Sequence, residues 1–249
     1  METKRILLEV AYDGTAYHGW QAQDGVSTIE GEINKALKRL TGEDIEVIGA
    51  SRTDTGVHGL CNLAVFDSNM NILPEKYAFA LNSFLPGDIV VRRSVQVSDC
   101  FHPRKCKTKK TYRYSIDNEV MPDPLKIRYS WHVSYDMDID RMSQGAKYLL
   151  GEHDFSSFCA SGSTALSHVR TVDDIQIVKN GSEIAIYVTG NGFLYNMVRI
   201  IVGTLAEVGR GKIEPHKVDD ILKACDRTMA GPTAPACGLT LLNIQWEDS

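Results

Sequence analysis

The order in which strand-like and helix-like segments follow one another most constrains the fold of this chain. Apolar residues that alternate with polar ones indicate strands, and apolar residues that repeat every three or four positions indicate amphipathic helices. The first hundred residues predict a strand at 5–12, a helix with Ile29, Ile33, Leu37 and Leu40 on one face, strands at 45–50 and 61–66, a helix at 74–85 and a strand at 89–97. This β-α-β-β-α-β order is that of the split βαβ, or ferredoxin-like, unit.

Both helices of this first half carry start or stop signals. Ser27 and Glu30 have the spacing of a capping box, in which each side chain accepts a hydrogen bond from the other residue's backbone N–H. Pro74 opens the second helix because proline fits the first helical turn, and the turn-forming residues 86–88 end it. These signals place each helix between two predicted strands, as the split βαβ order requires.

The second half predicts a similar series of elements. Its segments are strands near 129–135, 170–178, 183–189 and 239–246, helices at 140–150, 193–209 and 216–225, and an extra strand at 110–117 that joins the halves. No low-complexity linker separates the halves. We therefore predict an α+β protein with two ferredoxin-like domains, 1–105 and 106–249, packed around a central, largely antiparallel sheet with a cleft between the domains.

Charge is distributed unevenly along the chain. The formal net charge is −5, yet residues 101–115 carry six positive charges and no acid, which leaves 21 basic and 32 acidic residues elsewhere. Two tyrosines lie in the same segment. A local basic segment of this kind suits a polyanion such as RNA, although a solvated charge run between domains fits equally well. The candidate phosphate contacts are Arg104, Lys105, Lys107, Lys109 and Lys110.

Other classes of protein are disfavoured by the sequence. No apolar run approaches the ~18 residues of a membrane-spanning helix, and no signal-peptide core is present, so we expect a cytosolic protein with reduced thiols. The six cysteines form no C-x-x-C pair. Two groups of cysteine and histidine lie close in sequence without the paired spacing of a zinc knuckle, so we expect no metal. These groups are Cys100, His102 and Cys106, and His153, Cys159 and His168.

The segment 49–59 is the densest candidate for chemistry. It places Asp54 two residues after Arg52 and two residues before Gly56, in a predicted loop between two strands. The neighbouring arginine favours the ionised carboxylate and hence an anionic nucleophile, whereas a plain hairpin loop would use the same turn-forming residues. Asp54-Thr55-Gly56 also matches the aspartic-protease tripeptide. That chemistry needs a second such carboxylate, and no second D-[TS]-G occurs.

Three further segments are candidates for contacts with a nucleotide. Residues 12–23 interleave aromatic residues, amides and glycines, and Tyr112 lies in a predicted strand where it could stack on a base. Both features are also typical of a protein core. Arg199 lies on an otherwise apolar helix, on one stripe with Asn196 and Gly203. A buried arginine is costly unless it meets a carboxylate or phosphate, so we expect such a partner.

Taken together, seven sequence blocks resemble the tRNA pseudouridine synthase A family. They occur in the order of that family and extend over nearly the whole chain. The blocks are Y-D-G-x₂-Y-x-G-W-Q-x-Q (12–23), R-T-D-x-G-V-H (52–58), F-H-P-R (101–104), K-x-Y-R-Y (110–114), G-x-H-D-F-S-S-F (151–158), F-L-Y-N-M-V-R-x-I-V-G (193–203) and G-L-x-L (238–241).

This resemblance implies roles for five residues. The catalytic aspartate of the family falls on Asp54, the tyrosine that contacts the target base on Tyr112, and the arginine that pairs with the aspartate on Arg199. The active-site leucine falls on Leu239 and the base-flipping arginine on Arg52. Ser51 and Thr55 stand where glycine and alanine are frequent in the family.

The resemblance also implies the reaction and the partners. Members isomerise uridine to pseudouridine in the anticodon arm of tRNA, at nucleotide positions 38, 39 and 40, without cofactor or metal. They are cytoplasmic homodimers of two-domain subunits with the active site in the interdomain cleft. A non-catalytic RNA-binding protein on paired ferredoxin-like domains remains the alternative, and a dimeric aspartic protease that uses Asp54 is a weaker one.

Overall fold

The computed structural model describes residues 3–246, and these residues form an α+β protein, as predicted. The chain divides into two compact units. Residues 3–108 and 241–246 make the first unit, and residues 109–240 make the second. The division expected from the sequence, 1–105 and 106–249, does not include this return of the last strand to the first unit. Among the described residues, no helix is long and apolar enough to cross a membrane.

The described part of the first unit contains five strands and two α-helices. The elements are β1 (Lys4–Tyr12), α1 (Ile29–Thr41), β2 (Ile48–Gly49), β3 (His58–Ser68), α2 (Tyr77–Asn82), β4 (Ile89–Val97) and β10 (Leu239–Trp246), of which residues 241–246 belong to this unit. Strand β1 lies between β3 and β4, antiparallel to both, and β2 pairs with β3 next to the Asp54 loop. The final strand, β10, is the next neighbour of β3.

The core of the first unit lies between α1, α2 and one face of the strands. Alternate residues of β1 point to this face, because side chains alternate along a strand. They meet the apolar stripe of α1 that the sequence predicts. Its members Ile29, Ile33 and Leu37 are fully buried. These buried faces explain why apolar residues recur at every second position in β1 and at every third or fourth position in α1.

Three local predictions for this unit are wrong in detail. The N-cap of α1 is Thr28, whose hydroxyl accepts a hydrogen bond from the Gly31 amide at 3.2 Å, so Ser27 and Glu30 form no capping box. Glu30 instead accepts from the Ala22 amide at 2.7 Å. The second helix is short because a 3₁₀ turn precedes α2, and β2 has only two residues of the predicted six.

The second unit contains five strands and three α-helices. The elements are β5 (Thr108–Asp117), β6 (Trp131–His132), α3 (Ile139–Ala146), β7 (Gly151–Asp154), β8 (Val169–Asn180), β9 (Glu183–Gly190), α4 (Met197–Gly209) and α5 (Lys217–Ala224). Its longer strands are antiparallel in the order β5-β9-β8-β7, and the two-residue β6 is parallel to β5.

The beginning of this unit differs from the sequence prediction. The strand predicted at 110–117 is present as β5, which begins at Thr108, and its residues 110–117 pair with β9. The strand expected near 129–135 shrinks to β6. Strand β7 was not predicted because its four residues, Gly-Glu-His-Asp, are polar or small and none is buried. Sheet pairing rather than hydrophobic periodicity decides these cases.

Helix α4 is the buried centre of the second unit. It begins at Met197 rather than at the predicted 193, because Asn196 adopts a left-handed conformation with φ of +59° and turns the chain into the helix. Only glycine fits at position 203, because a Cβ atom there would overlap the carbonyl oxygen of Pro232. The segment around 232–234 therefore lies directly along α4, beside Arg199.

Candidate active site

The loop that carries Asp54 is held at its start by a buried amide. The Asn62 side chain accepts a hydrogen bond from the Ser51 amide at 3.2 Å and donates one to the Ser51 carbonyl oxygen at 2.9 Å. Asn62 is fully buried in β3. Only Asn196 and Cys225 among the described non-glycine residues have a positive φ, so a serine at position 51 is not strained. Asn62 is not among the site residues predicted from the sequence, although a polar residue within the apolar run 60–66 is a signal that could have identified it.

Thr53 fixes the residue directly before the aspartate. Its hydroxyl lies 2.9 Å from the Tyr12 hydroxyl in a buried contact, and its carbonyl oxygen accepts from the Trp20 amide at 3.1 Å. Gly19 allows this approach, because its φ is +84° and a Cβ atom there would lie 2.5 Å from the Thr53 oxygen. Thr53 is therefore held by its side chain and by its backbone, between two different segments of the first unit.

A tight turn follows Asp54 and is held by two backbone hydrogen bonds. The Val57 amide donates to the Asp54 carbonyl oxygen at 3.1 Å, and Gly56 takes the left-handed conformation with φ of +77°. The Gly56 amide donates to the Tyr17 carbonyl oxygen at 3.3 Å. Asp54 is half-buried, and Arg52 on the same loop is exposed. The loop thus presents one carboxylate in a fixed position and one solvent-exposed guanidinium.

The aromatic residues of segment 12–23 belong to the core. Tyr12 and Tyr17 are each 5% exposed and Trp20 is fully buried. The Tyr17 hydroxyl donates to Asp88 at 2.6 Å, and burial together with that carboxylate raises the pKa of Tyr17. The hypothesis of a stacking surface for nucleotides is therefore replaced by a structural role. Through the backbones of Trp20 and Tyr17, this segment is hydrogen-bonded to the Asp54 loop.

Tyr112 lies in β5, within the second unit. It is 6% exposed and its ring meets Phe193 edge to face, with the ring centroids 5.3 Å apart. Phe193 lies in the segment between β9 and α4. The contact links β5 to that segment and orients the tyrosine ring.

Arg199 lies in the first turn of α4 and is oriented by two oxygen atoms. Its Nε donates to the Ala234 carbonyl oxygen and its Nη1 donates to the Asn196 side chain, both at 2.7 Å. The Ala234 amide in turn donates to the Arg199 carbonyl oxygen at 3.1 Å. Asn196 lies on the predicted stripe, while the contact with Ala234 was not predicted. An arginine held at two of its donors presents its charge in a defined direction.

Leu239 is fixed by the chain that leads into β10. The Tyr114 hydroxyl donates to the Pro235 carbonyl oxygen at 2.7 Å, and Gly238 packs so closely on the Tyr114 ring that a Cβ atom would lie 2.6 Å away. Leu239 itself is 5% exposed. Burial strongly raises the pKa of Tyr114, so its hydroxyl stays protonated and keeps donating. This places Leu239 on the same unit as Tyr112 and Arg199.

The basic segment is not a uniform charged stripe. The Arg104 Nε donates to the Gly49 carbonyl oxygen at 2.7 Å, beside the Asp54 loop. Burial and the nearby positive charge of Arg52 lower the pKa of Arg104. Lys109 lies 3.4 Å from Asp173. The exposed members are Arg104, Lys105, Lys107 and Lys109, and Lys110 is half-buried.

The predicted site residues thus fall into two groups. Arg52, Asp54 and Arg104 lie on the first unit. Tyr112, Arg199 and Leu239 lie on the second unit. Residues 3–246 contain no group of three or more His, Cys, Asp or Glu side chains that could hold a metal ion.

The comparisons with known proteins agree on one family. A family model described as tRNA pseudouridine synthase matches residues 9–122 and 146–247. The tRNA pseudouridine synthase A of Thermoanaerobacter sp. (strain X514) is 52% identical over 241 residues, which cover 97% of this chain and 99% of that protein. The proteins of the same name from Brevibacillus brevis and Acetivibrio thermocellus are 49% and 45% identical, and the matches cover 97% and 98% of this chain and 99% and 100% of theirs.

A solved structure of an H/ACA RNP bound to a substrate RNA containing 2'-deoxyuridine also matches. The likeness has a TM-score of 0.37 and 15% identity, and it covers 81% of this chain and 44% of that chain.

Proposed function

The chain belongs to the tRNA pseudouridine synthase family, and from that premise we propose that Asp54 is the nucleophile with which it isomerises uridine to pseudouridine in tRNA. The observation that carries this proposal is the anchoring of the Asp54 loop. The residues before and after the carboxylate are hydrogen-bonded to Asn62, Tyr12, Trp20 and Tyr17. A carboxylate held in this way is positioned before the substrate arrives.

The reaction conserves atoms and electrons. The bond between the sugar carbon C1′ and N1 of uracil breaks, the base turns, and a bond forms between C1′ and C5. The proton on C5 is lost and N1 gains one, so no oxidant or reductant is consumed. A single nucleophilic carboxylate is sufficient for this sequence, whether it attacks the sugar or the base.

The target uridine must leave its stack before Asp54 can reach it. Removing a base from its stack costs a few kcal/mol. Arg52 is exposed beside Asp54 and is suited to fill the vacated space. Tyr112, whose ring is oriented by Phe193, is assigned to the contact with the extruded uracil, as the resemblance to the family implies. We assign these two roles to the same step of substrate entry.

Arg199 and Leu239 complete the proposed set of substrate-binding residues. The bonds from Arg199 to Ala234 and Asn196 direct its positive charge, which stabilises anionic groups during the reaction. Leu239, held by the contact of its neighbour Gly238 with Tyr114, supplies an apolar wall for the base. Apolar walls with a few directed polar groups are typical of small-molecule and base pockets.

The tRNA itself is proposed to be held by the basic segment. Arg104, Lys105, Lys107, Lys109 and Lys110 are assigned to phosphate contacts, which position a nucleic acid without reading its sequence. The targets are proposed to be the uridines at positions 38, 39 and 40 of the anticodon arm. We also propose that the enzyme acts in the cytoplasm.

A homodimer is part of the same proposal. The segment between β5 and β6 carries apolar side chains, each of which is more than half exposed. An exposed apolar patch of this kind is typical of a protein interface. These side chains are Val120, Met121, Leu125 and Ile127.

The alternatives have less support. A non-catalytic RNA-binding protein would not require a carboxylate anchored on both sides. An aspartic protease would require a second D-[TS]-G, which the sequence lacks.

The test is a map of pseudouridine along an unmodified tRNA transcript after incubation with the purified chain. We expect pseudouridine only at uridines 38–40. A matched transcript with cytidine at those positions serves as the control and should stay unmodified. Pseudouridine at other positions would refute the proposed targets, and a transcript that stays unmodified under saturating enzyme would refute the activity.

A further inference from the structure

His58 ends the R-T-D-x-G-V-H motif, and the proposed chemistry assigns it no role. It is the first residue of β3 and is only 4% exposed. It lies four residues after Asp54 in the sequence. A buried histidine so close to the carboxylate either packs as part of the core or holds the loop in place, and its contacts distinguish these two roles.

The His58 ring accepts a hydrogen bond from a backbone amide. The Gly14 N–H donates to His58 Nδ1 at 3.1 Å. Asp13 Oδ1, which accepts from the Thr15 amide and hydroxyl, also lies 3.1 Å from Nδ1. A ring nitrogen accepts a hydrogen bond through its lone pair, so the contact with Gly14 assigns the acceptor role to Nδ1.

Gly14 connects His58 to the turn that presents Asp54. A Cβ atom at Gly14 would lie 2.0 Å from the Val57 carbonyl oxygen, so the two backbones are in direct contact. Gly14 begins a 3₁₀ turn that ends at Ala16, and the next residue, Tyr17, accepts the Gly56 amide. Tyr17 thus holds Gly56 by a hydrogen bond, and Gly14 packs directly against Val57.

We propose that His58 is a positioning residue for Asp54. Its Nδ1 holds the Gly14 amide by a hydrogen bond, and this bond keeps the 3₁₀ turn at 14–16 in contact with residues 56 and 57 of the Asp54 loop. This proposal rests on the proposed function, since it assumes that Asp54 performs the chemistry. His58 does not touch the substrate. Its effect reaches the reaction through the position of the carboxylate, where a displacement of about 1 Å costs up to ~100-fold in rate.

Two amide substitutions separate this role from simple packing. The Oδ1 atom of asparagine takes the place of histidine Nδ1 and can accept the Gly14 hydrogen, whereas the amide of glutamine reaches the place of Nε2. We expect His58→Gln to lower kcat for pseudouridine formation at least tenfold, with KM for tRNA within threefold. We expect His58→Asn to keep kcat within threefold of the original chain. His153→Gln, in the second unit, is the control and should change neither constant.

Amide hydrogen exchange provides a readout that does not depend on activity. We expect faster exchange at Gly14, Gly56 and Val57 in His58→Gln and unchanged exchange in His58→Asn. Unchanged exchange in His58→Gln would overturn the proposal whether or not the chain makes pseudouridine. Altered exchange in a chain that makes no pseudouridine would refute the proposed function and leave the link between His58 and the loop standing.

Kinetics decide the remaining outcomes. Equal losses of kcat in the asparagine and glutamine variants would overturn the proposal, and so would a loss that lies only in KM. If His58→Gln does not fold, the asparagine variant decides alone. A kcat within threefold supports the role of Nδ1, and a loss of more than tenfold overturns it.

Discussion

Replacing Asn62 with alanine tests how the fold holds the Asp54 loop. The asparagine amide bonds both polar groups of the Ser51 backbone, at 3.2 and 2.9 Å. Asn82 offers a matched control, because its amide bonds both polar groups of Val91, at 2.8 and 2.9 Å, in the same unit. Each substitution removes two bonds to the backbone of one residue, at the loop for Asn62 and away from it for Asn82. Asn62→Ala also removes the bond that Asn62 Oδ1 accepts from the Leu63 amide at 3.0 Å.

The structure predicts different costs in stability for the two variants. Asn62 and Ser51 are buried, and a buried backbone group that loses its partner costs about 1–3 kcal/mol, so Asn62→Ala should lower the free energy of unfolding by ~4 kcal/mol. The Asn82 bonds are partly exposed, and water replaces them, so Asn82→Ala should cost ~2 kcal/mol. For a chain of this size these costs correspond to melting temperatures lower by ~12 and ~6 °C.

Scanning calorimetry and steady-state kinetics measure both effects. We expect Asn62→Ala to lower kcat at least tenfold at a temperature where the variant is folded, because the loop loses its anchor before Asp54. Asn82→Ala should keep kcat within twofold. If both variants lose the same stability and the same activity, the Asn62 amide has no special connection to the loop and the reasoning fails.

Three further predictions concern the loop, the arginine and the basic segment. Gly19→Ala should lower kcat more than tenfold because its Cβ atom would overlap the loop backbone, whereas Gly25→Ala, with a similar φ of +79° and no atom within 4 Å, should change kcat less than twofold. Arg199→Met should lower kcat at least a hundredfold and leave the Kd for tRNA within about tenfold, and a change in Kd alone would contradict its role in the reaction. Lys105→Ala and Lys107→Ala should each flatten the log–log dependence of tRNA affinity on salt by a little under one unit, and an unchanged slope would show that these lysines stay solvated.

The sequence predicted the elements with strong periodicity. Strand β4 was predicted at its observed bounds, and the buried face of α1 was predicted except for Leu40, which is only partly buried. Elements without an apolar period were missed or misplaced. The polar strand β7 is held by pairing with β8, and the true start of α4 depends on the left-handed Asn196. Neither pairing nor a single left-handed residue leaves a periodic signal in one sequence.

In the candidate site, residues that are consecutive in the sequence could be predicted, whereas residues that folding brings together could not. The motif around Asp54 was visible because its residues are consecutive. The supports of the loop were not, because Asn62, Tyr12 and Trp20 are distant from it in the sequence and reach it only through folding. The pattern of segment 12–23 fits a nucleotide surface and a core equally well, and only the burial of its aromatic residues decides for the core.

The most direct test of the central claim is the rate of pseudouridine formation in a single turnover by Asp54→Asn. The asparagine keeps the size of the side chain and removes the nucleophilic carboxylate. If Asp54 is the nucleophile, the variant forms pseudouridine at less than one per cent of the original rate and keeps the Kd for tRNA within about tenfold, or ~1.4 kcal/mol. A folded Asp54→Asn chain that binds tRNA and forms pseudouridine above one per cent of the original rate would contradict that claim.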